Sequence, residues 1–167
     1  MALCPDRYSL RPFSHEDACA LTDVTLAAIR SVGRVHYSEA QLQVWAARLH
    51  NPQRFVDRSE AGHTIIVAVD GHDYPIAYAL LEPVTRNGCH LDMLYCHPDH
   101  TRRGLADLLL ADSERQARAQ RASCLFTEAS ELACPAFARA GYRMVRRRDL
   151  AIEGIAIHNY AMEKRLS

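Results

Sequence analysis

The stretch from Asp92 to Leu110, DMLYCHPDHTRRGLADLLL, constrains the fold more than any other part of this 167-residue chain. It predicts a strand, a turn that contains Pro98, and a long helix that begins at Gly104. The first N–H groups of a helix have no partner inside the helix and carry partial positive charge, so they suit a phosphate group. Gly104 has no Cβ to obstruct an anion, and Arg102 and Arg103 add positive charge beside it. The sequence therefore predicts a site for a phosphorylated ligand at this turn.

Composition excludes several classes of protein. The 20 Lys and Arg residues equal the 20 Asp and Glu residues, so no net charge favours binding to nucleic acid or to a membrane. A hydrophobic share of 49% is typical of a globular protein, and we expect one domain spanning residues 1–167. No apolar run approaches the roughly 20 residues that cross a bilayer, and the N-terminus lacks a signal-peptide pattern, so we expect a cytoplasmic protein. The six cysteines have no C-x-x-C pair and no zinc-like spacing, which predicts reduced, buried thiols and no metal site.

Strand and helix patterns alternate along the rest of the chain. They predict strands over 8–12, 64–69, 76–81, 90–96 and 124–127, helices over 14–29, 38–50, 104–120 and 134–140, and a final hairpin of 143–152 and 155–163. Asn51-Pro52 is expected to end the second helix. This order predicts an α+β fold with a mixed sheet, and an exposed edge of the final hairpin could support a homodimer.

Two motifs stand in a recognisable order. Cys96-His97-Pro98 ends the predicted strand and is followed by Thr101-Arg102-Arg103-Gly104-Leu105-Ala106, and a short helix, SELACPAFARAGYR, ends further on at Gly141-Tyr142. The chain resembles the GNAT superfamily of N-acetyltransferases, whose phosphate-binding signature is Q/R-x-x-G-x-G/A and whose short helix ends in Gly-Phe. Gly104 and Ala106 match that signature, whereas Thr101 departs from it. The resemblance runs from Tyr8 to the final NYAMEK and is nearest to poorly characterised bacterial members with Phe in the short helix and an N-Y-x-M-E-K end.

The resemblance implies a fold and a donor. It implies a mostly antiparallel sheet of about seven strands with about four flanking helices, and acetyl-CoA as the acyl donor. The pyrophosphate would bind backbone amides from Arg102 to Ala106, and the strand before the motif would separate from its neighbour so that Leu94 and Cys96 bind the pantetheine. The cofactor-binding residues expected in this way are Leu94, Tyr95, Cys96, Thr101, Arg102, Arg103, Gly104, Leu105, Ala106, Ser130 and Phe137.

Acetyl transfer to an amine requires a group that removes the amine's proton. His90 and Asp92 are two residues apart on a predicted strand and therefore share one face. His90 also lies fourteen residues before Gly104, where some family members carry a catalytic Glu. An ordinary His, with a pKa near about 6.5, is a better base at neutral pH than an ordinary Asp, near about 3.9. The alternative is that His90 is a hydrogen-bonded structural residue and that Asp92 holds it in place.

The proton donor for the departing thiolate is a second open question. Many family members carry a Tyr four residues before the Gly of the short helix, but this chain has Phe137 there. Tyr160 is our preferred substitute, and Tyr95, Ser130 or water are alternatives. A thiol with a pKa near about 8.5 also leaves tolerably well without an acid. Tyr160 could equally be a strand aromatic packed on the core.

Several other residues have a structural and a functional interpretation. Arg146, Arg147 and Arg148 would alternate between faces of a strand, so a solvated strand is expected and not a basic patch. Trp45 falls on the predicted core stripe of its helix, although early helices often roof the family's substrate pocket. His36 and Tyr37, in the loop before that helix, are candidate pocket residues. Cys96 and Cys134 are expected to be apolar filler, since direct transfer needs no nucleophilic thiol.

The leading hypothesis is an acetyl-CoA-dependent enzyme that acetylates a primary amine of a small molecule by direct attack in a ternary complex. The alternative is an acyl-CoA-binding regulatory or partner-binding domain with weakened catalysis, which Thr101 and Phe137 would favour. A nucleotide-binding protein is a third hypothesis, but the chain lacks both a G-x-x-x-x-G-K-[ST] loop and a G-x-G-x-x-G fingerprint.

Overall fold

Seven strands form one continuous sheet in the computed structural model, which describes residues 8–31 and 33–167. The strands are β1 (Ser9–Pro12), β2 (Thr64–Val69), β3 (Pro75–Leu81), β4 (Cys89–Cys96), β5 (Cys124–Ala129), β6 (Arg143–Ile152) and β7 (Ile155–Arg165). Their order across the sheet is β1-β2-β3-β4-β5-β7-β6. All neighbours are antiparallel except β4 and β5, which run parallel.

Five α-helices flank the sheet in the described ranges: α1 (Ala18–Ser31), α2 (Glu39–Ala47), α3 (Gln53–Glu60), α4 (Leu105–Ala119) and α5 (Cys134–Arg139). The start of α2 is fixed by a reciprocal pair, in which Gln41 N–H donates to Ser38 Oγ and Ser38 N–H donates to Gln41 Oε1. A 3₁₀ turn, His15–Asp17, precedes α1. None of these helices is long and apolar enough to span a membrane.

The α+β fold with a mostly antiparallel seven-stranded sheet is confirmed, with one additional helix. The expected end of α2 at Asn51-Pro52 is wrong, because α2 already ends at Ala47 and the dipeptide instead begins α3. Proline has no N–H to lose at a helix start, and Asn51 Oδ1 accepts a hydrogen bond from Gln53 N–H at 3.0 Å. Only Phe55 of this short helix is fully buried, and six of its eight residues are polar or charged. The segment therefore contains too few apolar residues for a helical repeat to be recognised in the sequence.

The central strands of the sheet are covered on both faces, whereas the edge strand β6 is largely exposed. On one face α4 and α5 pack against β2 to β5, through a core that includes Leu91, Leu105, Leu109, Leu125 and Phe137. On the other face α1 and α3 pack against β2 to β4, through a core that includes Leu21, Phe55, Val67, Tyr78 and Met93. These two cores hold β4 at the centre of the molecule.

Beta4 is irregular on both of its sides. Towards β3 the register passes from Leu80↔Met93 to Leu81↔Leu91, so Asp92 is an extra residue in a β-bulge. Towards β5 the ladder covers only Cys89↔Leu125 and His90↔Phe126 within the described residues. Beyond these pairs the two strands separate, and the narrow end is closed by a 2.7 Å hydrogen bond from Thr127 Oγ1 to the Leu91 carbonyl.

The described cysteines are free thiols. Cys89 is buried, Cys96, Cys124 and Cys134 are half-buried, and Cys19 is exposed. Cys4 lies outside the described residues. Beta6 is an edge strand that exposes Met144 and Val145, and the homodimer through this hairpin stays a prediction.

Gly88, in the connection between β3 and β4, should resist substitution. A Cβ there would lie 2.5 Å from Cys124 Sγ and 2.6 Å from the Cys124 carbonyl oxygen, and its φ is +112°. Gly88→Ala should therefore lower the free energy of unfolding by about 2 kcal/mol or more, measured by urea titration. Gly71→Ala is the matched control, because a Cβ at Gly71 meets nothing within 4 Å. Equal stabilities of the two variants would show that the close approach to Cys124 is unimportant.

Candidate active site

A cavity of about 520 Å³ opens where β4 and β5 separate. Its walls come from α2, α3, the ends of β4 and β5, the start of α5 and the β6–β7 hairpin. Aromatic and aliphatic side chains form much of the surface, and the charged lining residues are Arg48, Arg54, Arg58, Asp92, Glu128 and Arg148. A cavity that combines apolar walls with convergent polar groups is typical of a small-molecule site.

The predicted anion-binding turn lies at the far end of β4. Gly104 is the N-cap of α4 with φ +80°, and no side chain caps this helix start. A Cβ built on Gly104 would meet nothing within 4 Å, so the space in front of the first helical turn is open. Thr101 Oγ1 donates to the Pro98 carbonyl at 3.0 Å, which leaves the N–H groups of the helix start to a ligand.

The turn is tied to the start of β1. Arg103 Nη1 donates to the Tyr8 hydroxyl at 2.9 Å, and that hydroxyl lies 3.2 Å from His100 Nδ1. Arg102 has a positive φ of 61° beside them. The guanidinium of Arg103 therefore lies against the sheet edge and contributes positive charge from a defined position.

The other predicted cofactor residues lie between the turn and the cavity. Leu94, Tyr95, Ser130 and Phe137 line the cavity, whereas Cys96 lies outside its lining at the end of β4. Burial raises the pKa of the Cys96 thiol to about 11, against the lowering effect of Arg103, so this thiol is not a nucleophile at neutral pH.

His90 is held between two carboxylates. Its Nε2 lies 2.5 Å from Glu128 Oε2 and its Nδ1 lies 3.2 Å from Glu82 Oε2, and its ring stacks on Phe126. Burial lowers the pKa of His90, but the hydrogen bond to Glu128 and the charges of Glu128, Glu82 and Asp92 outweigh it and raise the pKa. His90 is not part of the cavity lining, whereas Glu128 is.

Asp92 lies in the β-bulge and does line the cavity. Glu82, His90 and Asp92 each have a side-chain oxygen or nitrogen within 4.8 Å of those of the other two. His90 and Asp92 therefore share one face of β4. Arg58 Nη1 lies 3.3 Å from Asp92 Oδ2 and 3.4 Å from Glu82 Oε1. The guanidinium thus supplies the positive charge for this acidic cluster.

Tyr160 lies outside the cavity lining, beside a residue that sequence reasoning missed. His158, two positions earlier on β7, lines the cavity and its Nε2 lies 2.8 Å from Glu131 Oε2. A side-chain hydrogen bond to Glu131 raises the pKa of Tyr160. His158 and Tyr160 therefore share one carboxylate at the edge of the cavity.

Aromatic rings form the wall opposite β5. The Tyr37 hydroxyl accepts from Glu131 N–H at 2.9 Å and donates to the His158 carbonyl at 3.4 Å, and Trp45 Nε1 donates to the Tyr95 hydroxyl at 3.1 Å. Tyr37 and Trp45 both line the cavity, whereas His36 does not. Trp45 thus packs α2 against its neighbours and also lines the cavity.

Several charged lining residues were not singled out in the sequence. Arg54 and Arg58 lie on the additional helix α3, and their i,i+4 spacing was the signal that could have placed them on one face. Glu128 follows the predicted end of its strand by one residue. Arg148, expected on a solvated strand, keeps 30% side-chain exposure and lies 3.5 Å from Glu128 Oε1.

The sheet with its separated central strands, the cavity and the open helix start define an acetyltransferase-type architecture. The family model for the acetyltransferase (GNAT) domain matches residues 34–164. A GCN5-related N-acetyltransferase from Rhodopseudomonas palustris has a TM-score of 0.84 and 31% identity over 99% of both chains. The chain belongs to the GNAT family and is an N-acetyltransferase.

Two further N-acetyltransferases are similar to this chain over most of its length. The uncharacterised N-acetyltransferase YafP of Escherichia coli K12 is 24% identical over 153 residues, which cover 92% of this chain and 93% of YafP. The PaiA N-acetyltransferase of Thermoplasma acidophilum, solved in complex with coenzyme A, has a TM-score of 0.78 at 17% identity and covers 96% of this chain and 99% of its own.

The pair of His90 and Glu128 should stabilise the protein in a limited pH range. A raised pKa of His90 contributes stability below about pH 6.5 that is lost as the pH rises through the folded value. Burial opposes the shift at Glu128, but the hydrogen bond from His90 is the largest influence and lowers its pKa, which contributes stability above about pH 4.5. His90→Gln should therefore cost about 1 kcal/mol more at pH 5.5 than at pH 9, measured by urea unfolding.

The exposed residue His15 provides the control variant, His15→Gln, which is unfolded with urea at the same two pH values. A pH-independent loss for His90→Gln would contradict a charged pair.

Proposed function

We propose that this protein transfers the acetyl group of acetyl-CoA to a primary amine of a small molecule by direct attack in a ternary complex. The separation of β4 from β5 carries the proposal. It joins an open helix start on one side to a cavity with room for an acceptor on the other. Donor and acceptor could then meet beside Leu94 without a covalent enzyme intermediate.

The donor side rests on the turn before α4. The pyrophosphate of acetyl-CoA would accept hydrogen bonds from the backbone amides of Arg102 to Ala106, and Arg103 would add charge from its position beside Tyr8. The pantetheine would follow Cys96 and Leu94, which have no ladder partner in β5. A backbone N–H there would polarise the thioester carbonyl, an effect worth roughly 3–4 kcal/mol in other enzymes.

On the acceptor side, Asp92 is our proposal for the group that receives the amine's proton, directly or through water. It lines the cavity, whereas His90 reaches the cavity only through Glu128 and Asp92. The raised pKa of His90 and its two carboxylate partners suit a proton relay better than direct contact with the amine. The neutral amine then forms a C–N bond to the acetyl carbon as the C–S bond breaks.

The CoA thiolate that leaves must either receive a proton or leave as the anion. Phe137 has none to give, and Tyr160 lies outside the cavity lining with its hydroxyl bonded to Glu131. We therefore propose Tyr95, whose hydroxyl accepts from Trp45 and keeps its own proton, with Ser130 or water as the alternative.

The activity can be tested by thiol release from acetyl-CoA over a panel of small primary amines. Asp92→Asn should lower kcat by about tenfold to a hundredfold with little change in CoA affinity. His90→Gln should shift the acidic limb of the pH profile with a smaller loss of rate. Tight CoA binding without turnover on any amine would favour the alternative, an acyl-CoA-binding regulatory domain.

The donor site has its own test in the two glycines Gly104 and Gly154. Their φ angles are +80° and +79°, and a Cβ on either meets nothing within 4 Å. Valine therefore strains both backbones alike, but only Gly104→Val would obstruct the amides in front of α4. We expect CoA affinity, measured by calorimetry, to fall at least tenfold for Gly104→Val and to stay unchanged for Gly154→Val. Equal affinities would refute the proposed pyrophosphate site.

A further inference from the structure

Arg54 is a cavity-lining cation that has no carboxylate partner within the part of the chain that the structure describes. It lies on α3, and its Nη2 is 3.6 Å from the sulfur of Met93. Its Nη1 is buried and has no hydrogen-bond partner among residues 8–31 and 33–167. Of the other three guanidiniums that line the cavity, Arg58 lies 3.3 Å from Asp92 and Arg148 lies 3.5 Å from Glu128, whereas Arg48 is exposed to solvent.

A buried guanidinium nitrogen without a hydrogen-bond acceptor, such as Nη1 of Arg54, is energetically unfavourable. A guanidinium has five N–H donors, and a thioether sulfur is a weak acceptor for one of them. A buried charged N–H that lacks an acceptor loses its hydration, and the face of the Phe55 ring, 5.8 Å from the Arg54 guanidinium carbon, offsets that cost only in part. A carboxylate of a ligand would remove that cost, because its two oxygens match two parallel N–H groups of a guanidinium.

We propose that the acceptor amine carries a carboxylate, which pairs with Arg54, so that the substrate is an α-amino acid or a close analogue. The inference rests on the proposed function, since it identifies the acceptor of that reaction. Met93, which Arg54 contacts, precedes Leu94, where the thioester is expected. A carboxylate held at Arg54 would lie beside the residue that precedes the expected thioester position, which favours an acceptor whose amine and carboxylate are close together.

The rest of the cavity fits the other parts of such a molecule. Asp92 lines the same cavity and offers negative charge to an incoming ammonium group. Tyr37, Trp45 and Tyr95 form an aromatic wall that suits an apolar or aromatic side chain. A zwitterion with an apolar body thus meets a cation, an anion and an apolar surface in one site.

The test compares amino acids with the amines that lack only the carboxylate. The pairs are alanine with ethylamine, leucine with 3-methylbutylamine, and phenylalanine with 2-phenylethylamine, each followed by thiol release from acetyl-CoA. For at least one pair, the amino acid should have a kcat/KM at least about tenfold higher than its partner. Arg54→Met should remove that preference while it changes the rate with the carboxylate-free amine less than threefold.

Two further variants separate charge from packing. Arg54→Lys keeps the charge but not the paired donors, so it should retain part of the preference. Arg86→Met removes an exposed charge in the β3–β4 connection, outside the cavity lining, and should leave the preference as it is. Amines that react equally well with and without the carboxylate, or a preference that survives Arg54→Met, would overturn the inference.

A failure of the proposed function would look different, because no amine in any pair would then release thiol. Calorimetric titration of the same amino acids into the CoA-saturated protein tests the carboxylate site in that case. Binding that Arg54→Met abolishes supports the site, and the absence of binding by all three amino acids refutes it.

Discussion

The structure depends on the early end of the ladder between β4 and β5. Parallel neighbours in the middle of a sheet ordinarily pair along their length, yet these two share only two residue pairs. The hydrogen bond from Thr127 to the Leu91 carbonyl closes the narrow end, and the bulge at Asp92 turns β4 at the same level. Leu91 and Leu125 are buried in the core beside this gap, and a one-residue slip of either strand would turn its core residue to the other face of the sheet. The gap therefore cannot close by sliding one strand along the other.

Charge pairs that cross the sheet organise the acceptor end of this gap. Arg58 on α3 bridges Glu82 and Asp92, while His90 joins Glu82 to Glu128. These contacts hold a helix, a β-bulge and two strands in one arrangement without filling the cavity. They involve three of the six charged residues of the cavity lining, Arg58, Asp92 and Glu128, and Arg148 pairs with Glu128 as well. Arg54, beside Met93, has a buried Nη1 with no hydrogen-bond partner among the described residues.

Local patterns predicted the strands well and the site only in part. Thr64–Val69 is found with the predicted bounds, since a run of β-branched and apolar residues is a signal that neighbouring residues alone determine. The helix start at Gly104 is likewise local. The cavity is not, because Arg54, Asp92, Glu128 and Arg148 come from four different elements. Which of them face one another depends on sheet register and on the bulge, and neither is encoded in any single segment.

The two sides of the site are attached to the protein very differently. The donor side begins α4, which buries Leu105, Leu109, Leu110, Ser113 and Ala117 in the core. The proposed acceptor side includes α3, in which only Phe55 is fully buried and Arg58 pairs with Glu82 and Asp92. Under the proposed function, substitutions of the half-buried residues of α3 that line the cavity would change which acceptor is accommodated, while the core and the proposed donor site stay unchanged.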